Sequence, residues 1–100
     1  MSDKIIIEVE EDIKELIPTY LKNMKNNVKF FRNMLEKDDF GHIRERGHNI
    51  KGSGGGYGFD RISEIGREIE MAAREENKEA IIKEVDSLDD FLDRLEVVYI

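Results

Sequence analysis

Apolar residues three and four apart run through most of this chain, and that spacing permits little besides packed helices. Ile17, Leu21, Met24, Val28, Phe31 and Leu35 step by four, three, four, three and four, which lines them along one face of a helix with about 3.6 residues per turn. The only proline, Pro18, stands at the front of this stripe, where its fixed φ and missing N–H suit a helix first turn. A bundle helix over residues 18–37 is expected.

Asp38 and Asp39 offer caps for the next helix, and Phe40, Ile43, Gly47, Ile50, Gly54 and Tyr57 continue the same alternation. Gly52, Gly54, Gly55 and Gly56 oppose it, because each glycine in a helix interior costs about 1 kcal/mol relative to alanine. Propensity alone ends this helix near Lys51; periodicity carries it over residues 39–56. Asp60 can cap a helix over 60–75 with the stripe Ile62, Ile65, Ile69, Ala72 and Ala73, and Gly66 would let a neighbour approach closely. Asn77 opens a helix over 78–97 through Ile81, Val85, Leu88, Leu92 and Leu95, and the apolar residues 97–100 are left to pack on the first helix or on a second copy. At the front, Ile5, Ile6, Ile7 and Val9 form a β-branched run that could be extended, and the acidic start of residues 10–17 suits a short helix. The expected fold is all-α, an antiparallel four-helix bundle with a short extra N-terminal helix, in one domain over residues 1–100.

Composition narrows the function. A chain of 100 residues supports one compact core and excludes a large enzyme. With 16 Lys plus Arg against 23 Asp plus Glu, the net charge of -7 repels a phosphate backbone and an anionic membrane alike. No nucleic acid and no membrane are therefore expected as partners. There is no Cys, which removes disulfides, thiolate metal sites and Cys nucleophiles. The acidic N-terminus has no apolar leader, and no stretch reaches the apolar length of a membrane span, so a cytoplasmic protein is expected.

Chemistry near neutral pH must use His42 or His48, the only imidazoles. Six positions apart, they lie roughly 120° around a helix from each other, which does not suit a helical metal pair. Ser53 follows His48 by five residues and points elsewhere, so a Ser-His-Asp triad has no visible partners. The centre of the stripe through Ile43, Gly47, Ile50, Gly54 and Tyr57 lies roughly 140° from His48, which therefore faces solvent. Arg44 sits four residues before it, Lys51 three after and Gly52 four after, while Gly41 and Gly55 lie two turns away in either direction. Small neighbours would let another protein's surface come close, and the two cations stand where a phosphoryl group's oxygens would lie. A lone exposed histidine beside Lys and Arg is ordinarily only a solvated face, but three glycines in a row on a helix break a local rule without a local reason. A nucleotide loop does not explain them: Tyr57 occupies the third position of G-x-G-x-x-G, and no Gly-Lys-Ser/Thr closes the run. His42 reads as ordinary surface, Arg44 equally as surface or as a docking residue. Phe30, Phe31, Met24 and Met34 read as core or near-core rather than a cofactor box.

The segment His48-Asn49-Ile50-Lys51-Gly52-Ser53, with Gly58 ten residues after the histidine, resembles the H-x-x-K-G-S signature of histidine-containing phosphotransfer (HPt) domains. Ile65-Gly66-Arg67-Glu68-Ile69-Glu70 is similar to the family's next-helix box, and the chain's length suits a free-standing member. About 25 residues carry the motif, and the whole chain carries the helix pattern. The departure is Gly54-Gly55-Gly56, where the family more often has small residues such as Ser or Ala, so the rigidity of this turn is in question. The resemblance implies a four-helix bundle in which His48 is the phospho-acceptor, Lys51 helps neutralise the phosphoryl group, and Gly52 leaves room beside the imidazole. It also implies that Ser53 is a helix-interior hydroxyl bonded to backbone and that Gly58 serves close helix packing. Arg44, Gly52 and Gly55 would then border the surface that docks partners.

Such domains carry phosphoryl groups between aspartates of receiver domains, so the implied partners are response-regulator receiver domains and a hybrid histidine kinase. The implied role is a phosphocarrier rather than a turnover enzyme, with no cofactor of its own, because the receiver brings the aspartate and the Mg²⁺. A monomer is expected. A phosphorylation-independent adaptor and a detached phosphorylatable domain of a chemotaxis-type kinase remain open as alternatives.

Overall fold

Two of the four helices begin at a side chain that satisfies backbone N–H groups their N-termini would leave unpaired. The computed structural model describes residues 3–100, and its first helix, α1 (Ile17–Glu36), carries Pro18 in its opening turn. The second, α2 (Phe40–Gly54), is capped by Asp39, whose carboxylate accepts from the His42 N–H at 3.1 Å. The third, α3 (Asp60–Arg74), starts after the buried Phe59. Asp60 is therefore a first-turn residue, whose charge favours the helix N-terminus without capping it. The fourth, α4 (Lys78–Arg94), is capped by Asn77, which accepts from the Ala80 N–H. Two turns share one design: Asp38 and Glu76 take positive φ just beyond α1 and α3. The following residues, Asp39 and Asn77, donate back to Met34 and Ala72 carbonyls at 2.9 Å.

The helices form a ring in sequence order, closed by α1 packing on α4. Their apolar stripes meet in one core in which Phe31, Ile43, Phe59, Ile62, Ile65, Ile69, Ile81 and Leu88 have no solvent exposure. Met24 and Phe31 belong to it, and Phe30 and Met34 pack against it half-buried. Outside, Lys25 bridges to Asp89 and Asp93, and Arg32 to Asp86 and Asp89, tying α1 to α4. No helix among the described residues is long and apolar enough to cross a membrane.

Three boundaries differ from expectation. The short N-terminal helix is a 3₁₀ segment at Glu11–Leu16, with Ile17 already in α1. The glycine run is shared between the last turn of α2 and a 3₁₀ turn at Gly55–Tyr57. The last bundle helix stops at Arg94 instead of residue 97, because Leu95–Tyr99 becomes a strand, β2, beside the strand β1 at Ile5–Val9. They pair in parallel from Ile5↔Leu95 to Val9↔Tyr99. The apolar tail therefore pairs with the other end of its own chain, and its β-branched residues gain ladder hydrogen bonds that a frayed helix end would lack.

The closest approach in the bundle is between α2 and α3, and it depends on glycine. A Cβ on Gly66 would lie 2.5 Å from the Lys51 backbone nitrogen, one on Gly47 3.0 Å from that of Glu70, and one on Gly54 2.5 Å from that of Ser63. Helix backbone cannot give way as a flexible side-chain tip can. Gly52, in contrast, has nothing within 4 Å of its missing Cβ. Gly66→Ala is therefore expected to lose about 1–3 kcal/mol of stability through overpacking, despite a propensity gain of about 1 kcal/mol. Gly52→Ala should gain up to about 1 kcal/mol. Urea denaturation of the two variants checks the opposite signs, and equal effects would show that the glycine contact does not set the helix spacing.

Candidate functional site

On α2, the i, i+3, i+4 geometry of a helix puts His48 and Lys51 on one outer face, one turn apart, with Gly52 beside them. The side chain of His48 is 64% exposed. What the helical wheel does not show is its partner across the helix interface. Because Gly47 and Gly66 let the two backbones approach, Glu70 of α3 comes up against the imidazole, and His48 Nδ1 lies 2.9 Å from Glu70 Oε2.

Glu70 is the hub of the cluster. Its side chain is only 11% exposed, and it receives Lys51 Nζ at 3.5 Å and Arg74 Nη2 at 3.9 Å besides the histidine. Burial pushes its carboxyl pKa up by desolvation, but the hydrogen bond and charge of His48 and those of Lys51 outweigh this and hold it below the ordinary carboxylate value. The group is therefore ionised near neutral pH and can only accept. Either form of the imidazole donates to it through Nδ1, and in the neutral form this leaves the Nε2 lone pair facing away from Glu70. In that neutral form, Nε2 is the nucleophilic atom of the ring.

A shallow concavity of about 440 Å³ opens beside this atom, lined by Gly41, Arg44, Glu45, His48 and Glu70. Arg44 and Lys51 thus flank the imidazole from the preceding and following turns, and Gly41 and Gly52 leave the surface low on either side. Two other glycines stand apart. Gly55 lies past the end of α2 and lines a separate concavity with Glu8, Val9, Tyr57, Gly58 and Ile100. Gly58 does not mediate helix packing: it holds φ at +90°, in the left-handed region, with open space except for Val9 at 3.8 Å from its missing Cβ. Close packing belongs to Gly47, Gly54 and Gly66 instead.

Ser53 bonds the Ile50 carbonyl at 3.4 Å and lies 3.1 Å from the Tyr20 hydroxyl, away from the imidazole. His42 is occupied at the other end of α2, 2.7 Å from the Asp39 cap. The residues that sequence reasoning left without a role are Glu70 and Arg74. The available signal was a carboxylate four residues after Gly66 within the apolar stripe of α3, where an unpaired charge would be costly.

A family model described as Hpt domain matches residues 8–97. No curated protein and no solved structure matches the chain significantly.

The depressed Glu70 pKa fixes a sign for stability against pH. The folded carboxyl binds its proton more weakly than an unfolded Glu at about 4.3, so its contribution is present above that value and is lost as pH falls through the lower folded pKa. Urea midpoints measured from neutral pH into this acid range should fall, and Glu70→Gln should flatten part of the decline. A slope unchanged by Glu70→Gln would show that the carboxylate is not tied to its cations in solution.

Proposed function

The chain belongs to the Hpt domain family, which gives it a phosphotransfer role in two-component signalling, and on that premise we propose that His48 is the phosphoryl acceptor of a phosphorelay intermediate. The observation that carries this reading is the His48–Glu70 pair, which holds Nδ1 against the carboxylate and leaves Nε2 on the side of an open surface bordered by Gly41 and Arg44. In the forward step, the Nε2 lone pair attacks the phosphorus of an aspartyl phosphate on a receiver domain. The N–P bond forms as the P–O bond to the aspartate breaks, and the carboxylate leaves with the electron pair. The ring becomes cationic, and its Nδ1–H remains bonded to Glu70, which offsets that charge. Transfer to a second receiver reverses the same step.

Phosphoryl transfer through a loose transition state asks for position and charge neutralisation more than proton transfer. Lys51 supplies a cation one helical turn from the imidazole and Arg44 a second on the opposite side, each able to reach a phosphoryl oxygen by side-chain rotation. The Mg²⁺ of the reaction belongs to the receiver, as does the aspartate. Receiver domains and a hybrid histidine kinase are the partners this reading requires, and Gly41 and Gly52 admit their surface to the nucleophile.

Incubation with a small phosphoramidate, followed by mass spectrometry under neutral to basic conditions, should find one acid-labile phosphoryl group on His48, absent in His48→Gln. No adduct on a folded, helical chain would instead favour an adaptor that binds a receiver or kinase without accepting phosphate. With a phosphorylated receiver as donor, Lys51→Ala should slow transfer about tenfold, or about 1.4 kcal/mol in the barrier, without unfolding the bundle. An unchanged rate would assign Lys51 to ordinary surface charge.

A further inference from the structure

The ribbon at the end of the bundle leaves a strand edge unpaired. In the ladder, the Ile100 N–H donates to the Val9 carbonyl and the Glu11 N–H to the Ile100 carbonyl. Because N–H and C=O of one residue point the same way in a strand and alternate along it, the odd-numbered residues of β1 face β2. The backbone groups of Ile6 and Glu8 face away, and they have no hydrogen-bond partner among the described residues. Ile6 is also 61% exposed, one of the most exposed large apolar side chains described. Open, apolar edges of this kind are templates for another strand.

The sequence of β1 is complementary to itself when reversed. An antiparallel pairing about a two-fold axis at Ile6 sets Ile6 against Ile6 of a second copy and Lys4 against its Glu8, with Ile5 against its Ile7. All the outward-facing backbone groups then fall opposite one another. Opposite charges and matched apolar residues directly across a strand pair stabilise it, whereas like charges there oppose it. Glu8 has no ion-pair partner among the described residues, and Lys4 meets only the exposed Glu96, at 3.5 Å. We propose that the chain self-associates through β1, forming a two-fold dimer whose ribbons join as one four-stranded sheet in the order β2-β1-β1-β2. The interface is isologous and closes on itself, so association stops at two copies. It replaces the monomer expected from sequence, and it stands independently of the role assigned to His48.

Sedimentation equilibrium of the intact chain over a concentration series tests this. The expected result is a mass rising from one chain toward two. Lys4→Glu and Glu8→Lys should each remain single chains, the first because two carboxylates then face each other at both charged positions of the pairing, the second because two ammonium groups do. An equimolar mixture of the two variants should associate again, since every cross-strand charged pair is then of opposite sign. Circular dichroism establishes that each variant keeps its helices. A wild-type mass of one chain at every concentration would overturn the dimer. Association of wild type without recovery in the mixture would overturn this edge and register, as would association that either single variant leaves intact.

Discussion

The near-contact of two helix backbones governs the rest of this molecule. Where α2 crosses α3, glycines at 47, 54 and 66 replace side chains that would otherwise hold the axes apart, and each missing Cβ would sit within 3.0 Å of backbone on the other side of the contact. The glycines that weaken α2 and α3 as isolated helices are thus the ones that let them pair, so propensity is exchanged for packing. Ile43, Ile50, Ile62, Ile65 and Ile69 are sealed from solvent around the same contact.

The contact between His48 and Glu70 follows from that spacing. A glutamate on α3 reaches an imidazole on the outer face of α2 only if the helices are close, and only then can the carboxylate bond its Nδ1. Glu70 remains charged in a largely buried position because His48, Lys51 and Arg74 surround it. An exposed histidine beside a shallow concavity is thereby held by one ring nitrogen against a largely buried carboxylate.

Much of this was legible in the linear chain. Apolar intervals of three and four located all four bundle helices, and Asp39 and Asn77 marked two of their starts, since local periodicity and capping are both written within a few residues. That His48, Lys51 and Gly52 share one face of α2 was visible because one helical turn relates them. What was not legible depends on distant partners. Leu92 and Leu95 continue the helical stripe of α4, so nothing local announces the break at Arg94; it is decided by pairing with Ile5–Val9 from the other end of the chain. Glu70 was visible as the last residue of the box resembling the family's but had no role there, because its contacts are made with a residue on a neighbouring element. Gly58 shows the same limit at shorter range: its spacing from His48 was visible, while the left-handed turn that requires glycine there was not.

The ribbon also bears on the order in which the molecule assembles. Its first pair, Ile5 and Leu95, lies 90 residues apart, whereas adjacent helices meet across connections of only a few residues. Closing the longest loop in the chain carries the largest entropic cost, and the ribbon offers few bonds in return until the bundle has brought its ends together. Loop closure thus favours pairing the strands once the helices are in place, like a clasp fastened after the strap is already wound. The ribbon accordingly ties together the two ends of the chain, while the helical core rests on contacts of its own.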